Sequence, residues 1–250
     1  MSENPYLPPS TSVEVSPPLP RHPGQGSPYG GYHEVGVLSK VIAGILAVSV
    51  LGDVIYSLID WTNLRVFSER GFDDESSFYL KVTRLSEWID NVYLILWLVL
   101  AIIWCVWTSR VCKNAWLINS RDGATAIYRG RKSYSPVVSW ALHFIPIVQF
   151  WIPFHAMAWI RDASQKPLGL TMGKLVGAWW SFWIANLGVG VMTIILYSGA
   201  ETSEELAAFY RVSLVLSPVP ILSTVYGGLM VLRLSLIQRL RASDLGLRRH

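Results

Sequence analysis

The sequence predicts an all-α integral membrane protein: four transmembrane helices, a proline-broken re-entrant or interfacial segment, and a disordered N-terminal tail. Three observations predict it. Of the 250 residues, 52% are hydrophobic, 12 are tryptophan and only 15% are charged, an apolar excess over ordinary soluble domains. The apolar residues gather in runs that approach or exceed the roughly 20 needed to cross about 30 Å of hydrocarbon. These begin near Val35, Trp88, Val137, Leu175 and Val212. Lysine and arginine are spread unevenly between the stretches that separate the runs.

Residues 1–34 hold most of the 14 prolines together with Gly and Ser. Such a composition buries too little apolar surface to offset the entropy of ordering, so a disordered tail is expected. It lacks a basic stretch followed at once by an apolar core, so no cleaved signal peptide is expected. The membrane domain covers about 35–240, with spans at about 35–59, 88–108, 175–197 and 212–232. The first span carries Lys40 near its start and Asp53 well inside. Between the first two spans lie six acids and four bases, where Phe78, Val82, Leu85 and Ile89 recur at helical spacing. The second helix should therefore project beyond the bilayer. A basic loop follows, with Arg110, Lys113, Arg121, Arg129, Arg131 and Lys132 against Asp122. The apolar run at 137–160 is the odd one, interrupted by Pro146 and Pro153 and carrying His143, Gln149 and His155. Thr202 and Glu205 fit a capping box that starts a helix outside the membrane. Pro218 and Pro220 should kink that helix before the basic tail of residues 241–250.

Charge placement decides the number of crossings. With five spans, the 21 lysines and arginines divide 9 against 12, which defeats the positive-inside rule. If residues 137–160 enter and return, 16 fall on one side and 5 on the other. A helix broken twice must also have its freed carbonyls satisfied by protein or water. Four spans are therefore expected, with both termini cytoplasmic.

Between Trp107 and Ser164 stand Trp107, Arg110, Asn114, Ser135, Pro136, Trp140, Phe144, Ile145, Pro146, Ile147, Pro153, Trp159 and Ser164. Within them lies W-x(3)-F-I-P-I, with a second proline seven residues on. This stretch resembles a bacterial membrane family known only as a domain of unknown function. The Trp179–Trp180 pair is similar to that family's next helix. The resemblance implies a bacterial cytoplasmic (inner) membrane location and says nothing about an activity. His143 and His155 stand where the family has aromatic residues, so it implies no histidine-based chemistry.

Asp53, His143, Gln149, His155 and Asn186 form the candidate polar intramembrane site. An ionisable residue inside a span is costly unless paired, so Asp53 either handles a cation or proton or hydrogen-bonds to Asn186 or Thr193 as a structural group. The structural role is the favoured reading. His143, Gln149 and His155 could line a cavity in the broken segment. Alternatively Trp140, Trp151 and Trp159 form a wedge at headgroup level, which is preferred. Gly173, Gly177, Ser181 and Ala185 repeat every four residues, a stripe that admits close helix approach and is read as intramolecular packing. Arg129, Arg131 and Lys132 can contact anionic lipid, although topogenic charge alone explains them.

Cys105 and Cys112 lie seven residues apart on one helix, about 10 Å by helical rise, beyond disulfide reach. Neither a metal-ligand spacing nor a cofactor or catalytic motif is present, and nucleic-acid binding is not expected from flanking basic residues. The expectation is a non-enzymatic accessory or scaffold module that engages lipid or another membrane protein. The alternative is a small-solute or ion transporter built on Asp53 and the broken segment.

Overall fold

A computed structural model describes residues 29–69, 77–121, 134–145, 148–165 and 172–247. Its helices are α1 (Gly36–Glu69), α2 (Ser77–Arg121), α3 (Pro136–Ala141), α4 (Ile152–Ser164), α5 (Gly173–Ser198), α6 (Ser203–Leu216) and α7 (Pro218–Asp244). Among the described residues there is no β-strand. Four helical stretches are long and apolar enough to cross a membrane: Gly36–Ser68, Arg84–Arg121, Lys174–Ser198 and Ser203–Asp244. The last is α6 and α7 together. Ser217 between them keeps helical angles (φ −54°, ψ −27°), so Pro218 opens α7 at a position where its missing N–H matters little.

α1 lies at the centre, packed against α7, α6 and α2, and α5 packs on α7. The outward faces are apolar, with Leu51, Leu58, Leu94, Leu98, Ile102, Ile194 and Leu236 exposed. That inside-out pattern suits a hydrocarbon solvent. One buried cluster includes Ile42, Trp107, Val111, Met157, Met230 and Leu234. A second, at the far ends of α1 and α6, joins Phe67 to Leu206, Ala207 and Tyr210, with the Phe67 and Tyr210 rings stacked 5.7 Å apart.

The segment between α2 and α5 returns to the side from which it enters. Just before α3, the Tyr134 carbonyl accepts from Cys112 Sγ at 3.4 Å and Trp116 Nε1 at 2.8 Å. At its deepest described point the His143 ring lies 6.2 Å from the Trp104 ring. At the end of α4, Ser164 accepts from Gln238, whose amide also donates to the Val111 carbonyl. Both ends therefore meet α2 at about 111–116, and the middle meets it at Trp104. The dip is roughly 10–18 Å at 1.5 Å per residue. α3 has 6 residues and α4 has 13, each too short to span. Pro153 sits in the first turn of α4, where it starts a helix rather than kinking one. Pro146 lies outside the described residues, as do residues 1–28 of the predicted tail and Arg129, Arg131 and Lys132.

The last residues of the predicted tail are packed. Tyr32 is 1% exposed and Val35 fully buried, Tyr32 clustering with Leu117 and Ala242. The start and the end of the described chain thus share one end of the bundle. The predicted basic C-terminal tail likewise begins inside α7, where Arg241 is buried. At the opposite end the expected capping box is formed, with Thr202 and Glu205 exchanging side-chain and backbone hydrogen bonds.

Candidate functional site

The most organised polar site lies at the termini end, where Asn114 of α2 and Gln238 of α7 form a buried clasp. Asn114 Oδ1 accepts from the His33 N–H at 2.8 Å, and its Nδ2 donates to the His33 carbonyl at 2.7 Å and to Gln238 Oε1 at 3.3 Å. Gln238 Nε2 donates to the Val111 carbonyl at 2.8 Å and to Ser164 Oγ at 2.9 Å. Ser164 in turn donates to the Ile160 carbonyl at 2.7 Å. Every amide donor of both side chains is used, which is what burial of a polar pair requires. Nearby, Trp107 Nε1 donates to Ser235 Oγ at 3.0 Å, and Arg110 Nη1 donates to the Glu34 carbonyl at 3.1 Å. Trp159 is 5% exposed, its ring 5.5 Å from that of Trp116. Trp107, Arg110, Asn114, Trp159 and Ser164, picked out by sequence as motif positions, therefore work together to tie α2, α4, α7 and the segment before α1.

A second polar group lies toward the opposite end. Tyr93 Oη of α2 is 2.5 Å from the Ser49 carbonyl and 3.2 Å from Asp53 Oδ1, both on α1. The partner of Asp53 is therefore Tyr93, correcting the expectation of Asn186 or Thr193. Thr193 bonds its own helix at the Gly190 carbonyl. The Tyr93 ring crosses α1 over Gly52: a Cβ there would fall 2.1 Å from Tyr93 Oη and 2.4 Å from a ring carbon. Tyr56 hydrogen-bonds to Asp90, its ring edge-on to Tyr93 at 5.6 Å, and Ser213 of α6 hydrogen-bonds to Asp60. Sequence reasoning missed Gly52, Tyr93, Ser235 and Gln238. None of the four stood out in the sequence, Gln238 lying beside Arg239 beyond the last apolar run.

The five predicted polar residues are not brought together. Asp53 touches Tyr93 and His143 packs on Trp104, eleven residues away along α2, or about 16 Å. His143 Nδ1 faces the Trp140 carbonyl at 3.2 Å. Gln149 is half-buried in a single 3-10 turn, and His155 is exposed beside Phe154. Asn186 is half-buried on α5 and makes no hydrogen bond among the described residues. The tryptophan wedge is also revised: Trp151 is 70% exposed and Trp140 half-buried, but Trp159 is interior.

The small-residue stripe on α5 faces outward. A Cβ at Gly177 would meet nothing within 4 Å, and Ser181 and Ala185 are exposed. α5 instead meets α7 through its aromatic side, where Phe182 stacks on Tyr226 at 5.3 Å and Trp179 covers Gly227. The expectation of intramolecular packing along the stripe is corrected accordingly.

Fold and clasp together define a polytopic helical membrane protein with a re-entrant segment. Residues 75–235 match the family described as Domain of unknown function (DUF4328), and the chain belongs to that family. The match runs from the start of α2 into α7, leaving out the central α1. None of the curated proteins and none of the solved structures matches.

Proposed function

We propose that this protein is a non-enzymatic accessory or scaffold module of a bacterial cytoplasmic membrane, engaging lipid or another membrane protein, with both termini cytoplasmic. The observation that carries the reading is the uncovered α5 face of Gly177, Ser181 and Ala185, beside helices whose buried amides are already paired. Small residues let a second helix approach closely enough for backbone-level packing, the main source of association where lipid is as apolar as the side chains. The separation of Asp53 from His143 favours this role over solute or ion handling, which needs polar groups converging on one water-reachable cavity. The end bearing Arg110, Arg239 and Arg241 is the cytoplasmic one by the positive-inside rule.

The test is a photo-crosslinking residue placed at Ser181 or Ala185 in intact cells, with Leu94 on the exposed face of α2 as control. A discrete protein adduct at the α5 positions and none at Leu94 is the expected result. Equal, diffuse lipid adducts at all three positions would contradict a protein partner on this face.

A further inference from the structure

We propose that the cleft between α5 and α7 at the termini end holds an anionic phospholipid, its phosphate between Lys174 and Arg233. The site deepens the lipid contact of the proposed function and rests on that reading. The cleft has a volume of about 300 Å³ and is lined by Lys174, Leu175, Ala178, Tyr226 and Arg233. Its shape follows from the antiparallel register of the two helices. Trp179 lies against Gly227 and Phe182 stacks on Tyr226, and the same register brings Lys174 level with Arg233.

Among the described residues the charge is uncompensated: neither Lys174 nor Arg233 makes an ion pair or a hydrogen bond. Arg233 lies two residues before Ser235, the partner of Trp107, on α7 just beyond the apolar run at 212–232, and its side chain is exposed. The first turn of α5 adds to the positive field, since its N-cap is Met172 and no side chain caps it. Leu175 and Ala178, with the Tyr226 ring, supply the apolar part of the lining. Two cations over an apolar groove at a membrane boundary match a phosphodiester with an acyl chain below it. Inorganic phosphate would satisfy the cations but leave the groove uncovered.

The test uses the full chain reconstituted in bilayers and measures association of spin-labelled phosphatidylglycerol relative to phosphatidylcholine. The wild type should prefer phosphatidylglycerol. Removing one charge should weaken the preference about fivefold, and K174Q/R233Q together about 25-fold. K40Q, which removes an exposed cation elsewhere on the same end, should leave it intact. Ala178→Phe fills the groove without touching either charge and should also abolish the preference. It decides the matter alone if the double variant fails to fold. Retention of the preference in K174Q/R233Q or in Ala178→Phe would overturn this site while leaving lipid engagement standing. Absence of any preference in the wild type would overturn both. Displacement of the label by millimolar inorganic phosphate would assign the cleft to a soluble anion and overturn the lipid assignment.

Discussion

Gly52→Ala should be costly in a place where alanine ordinarily helps a helix. The added Cβ would lie 2.1 Å from Tyr93 Oη and 2.4 and 2.6 Å from two ring carbons. No Cβ tolerates such distances, and Gly52 is itself held within α1, so the Tyr93 ring must swing away. It then loses its contacts to the Ser49 carbonyl and Asp53, together with the edge-on contact to Tyr56. Interhelical hydrogen bonds in membranes average about 0.6 kcal/mol and reach about 1.7. The aromatic pair adds about 0.5–1.5 kcal/mol and overpacking about 1–3 kcal/mol. Against this stands a gain of about 1 kcal/mol from replacing glycine in a helix. The expected net loss is roughly 1–5 kcal/mol, read from unfolding in mixed micelles by tryptophan fluorescence. In a Tyr93→Ala background the obstacle is gone, and Gly52→Ala should be neutral or stabilising. Gly190→Ala on α5, whose Cβ meets nothing within 4 Å, is the control. If Gly52→Ala costs no more than Gly190→Ala, or costs the same with and without Tyr93, the cradle reasoning is wrong.

Asn114→Ala should destabilise by about 2 kcal/mol, because it strands the His33 backbone groups and one side of Gln238. Hydrogen exchange at residues 29–35 should accelerate in the same variant, and unchanged exchange would refute the clasp. Tyr93→Phe should cost about 0.6–1.7 kcal/mol while preserving insertion, measured by the same unfolding titration. Thr202→Ala removes the capping hydroxyl and should cost roughly 1 kcal/mol, fraying the first turn of α6 in hydrogen exchange but leaving the spans protected.

The spans were legible because apolar length is a one-dimensional property, and the turning back of residues 137–160 because charges and prolines both mark it. The capping box at Thr202 and Glu205 was legible because its partners lie three residues apart. What stayed hidden depends on helix rotation and register between distant elements. Asn114 and Gln238 are 124 residues apart, and Asp53 and Tyr93 are 40 apart. The α5 stripe is the instructive case. Its four-residue repeat says that Gly177, Ser181 and Ala185 share a face, but periodicity carries no information about what that face meets. Gly52 belongs to no repeat at all, and only the ring lying across it explains the residue.

Single-cysteine accessibility tests the re-entrant architecture most directly. Cysteines at Ser135 and Gln165, in a background with Cys105 and Cys112 replaced by alanine, bracket the segment between α2 and α5. A third, at Glu201 between α5 and α6, marks the opposite end. With a membrane-impermeant reagent, Ser135 and Gln165 should label from one side and Glu201 from the other. Labelling of Ser135 and Gln165 from opposite sides would mean that the segment crosses, giving five spans and contradicting the account.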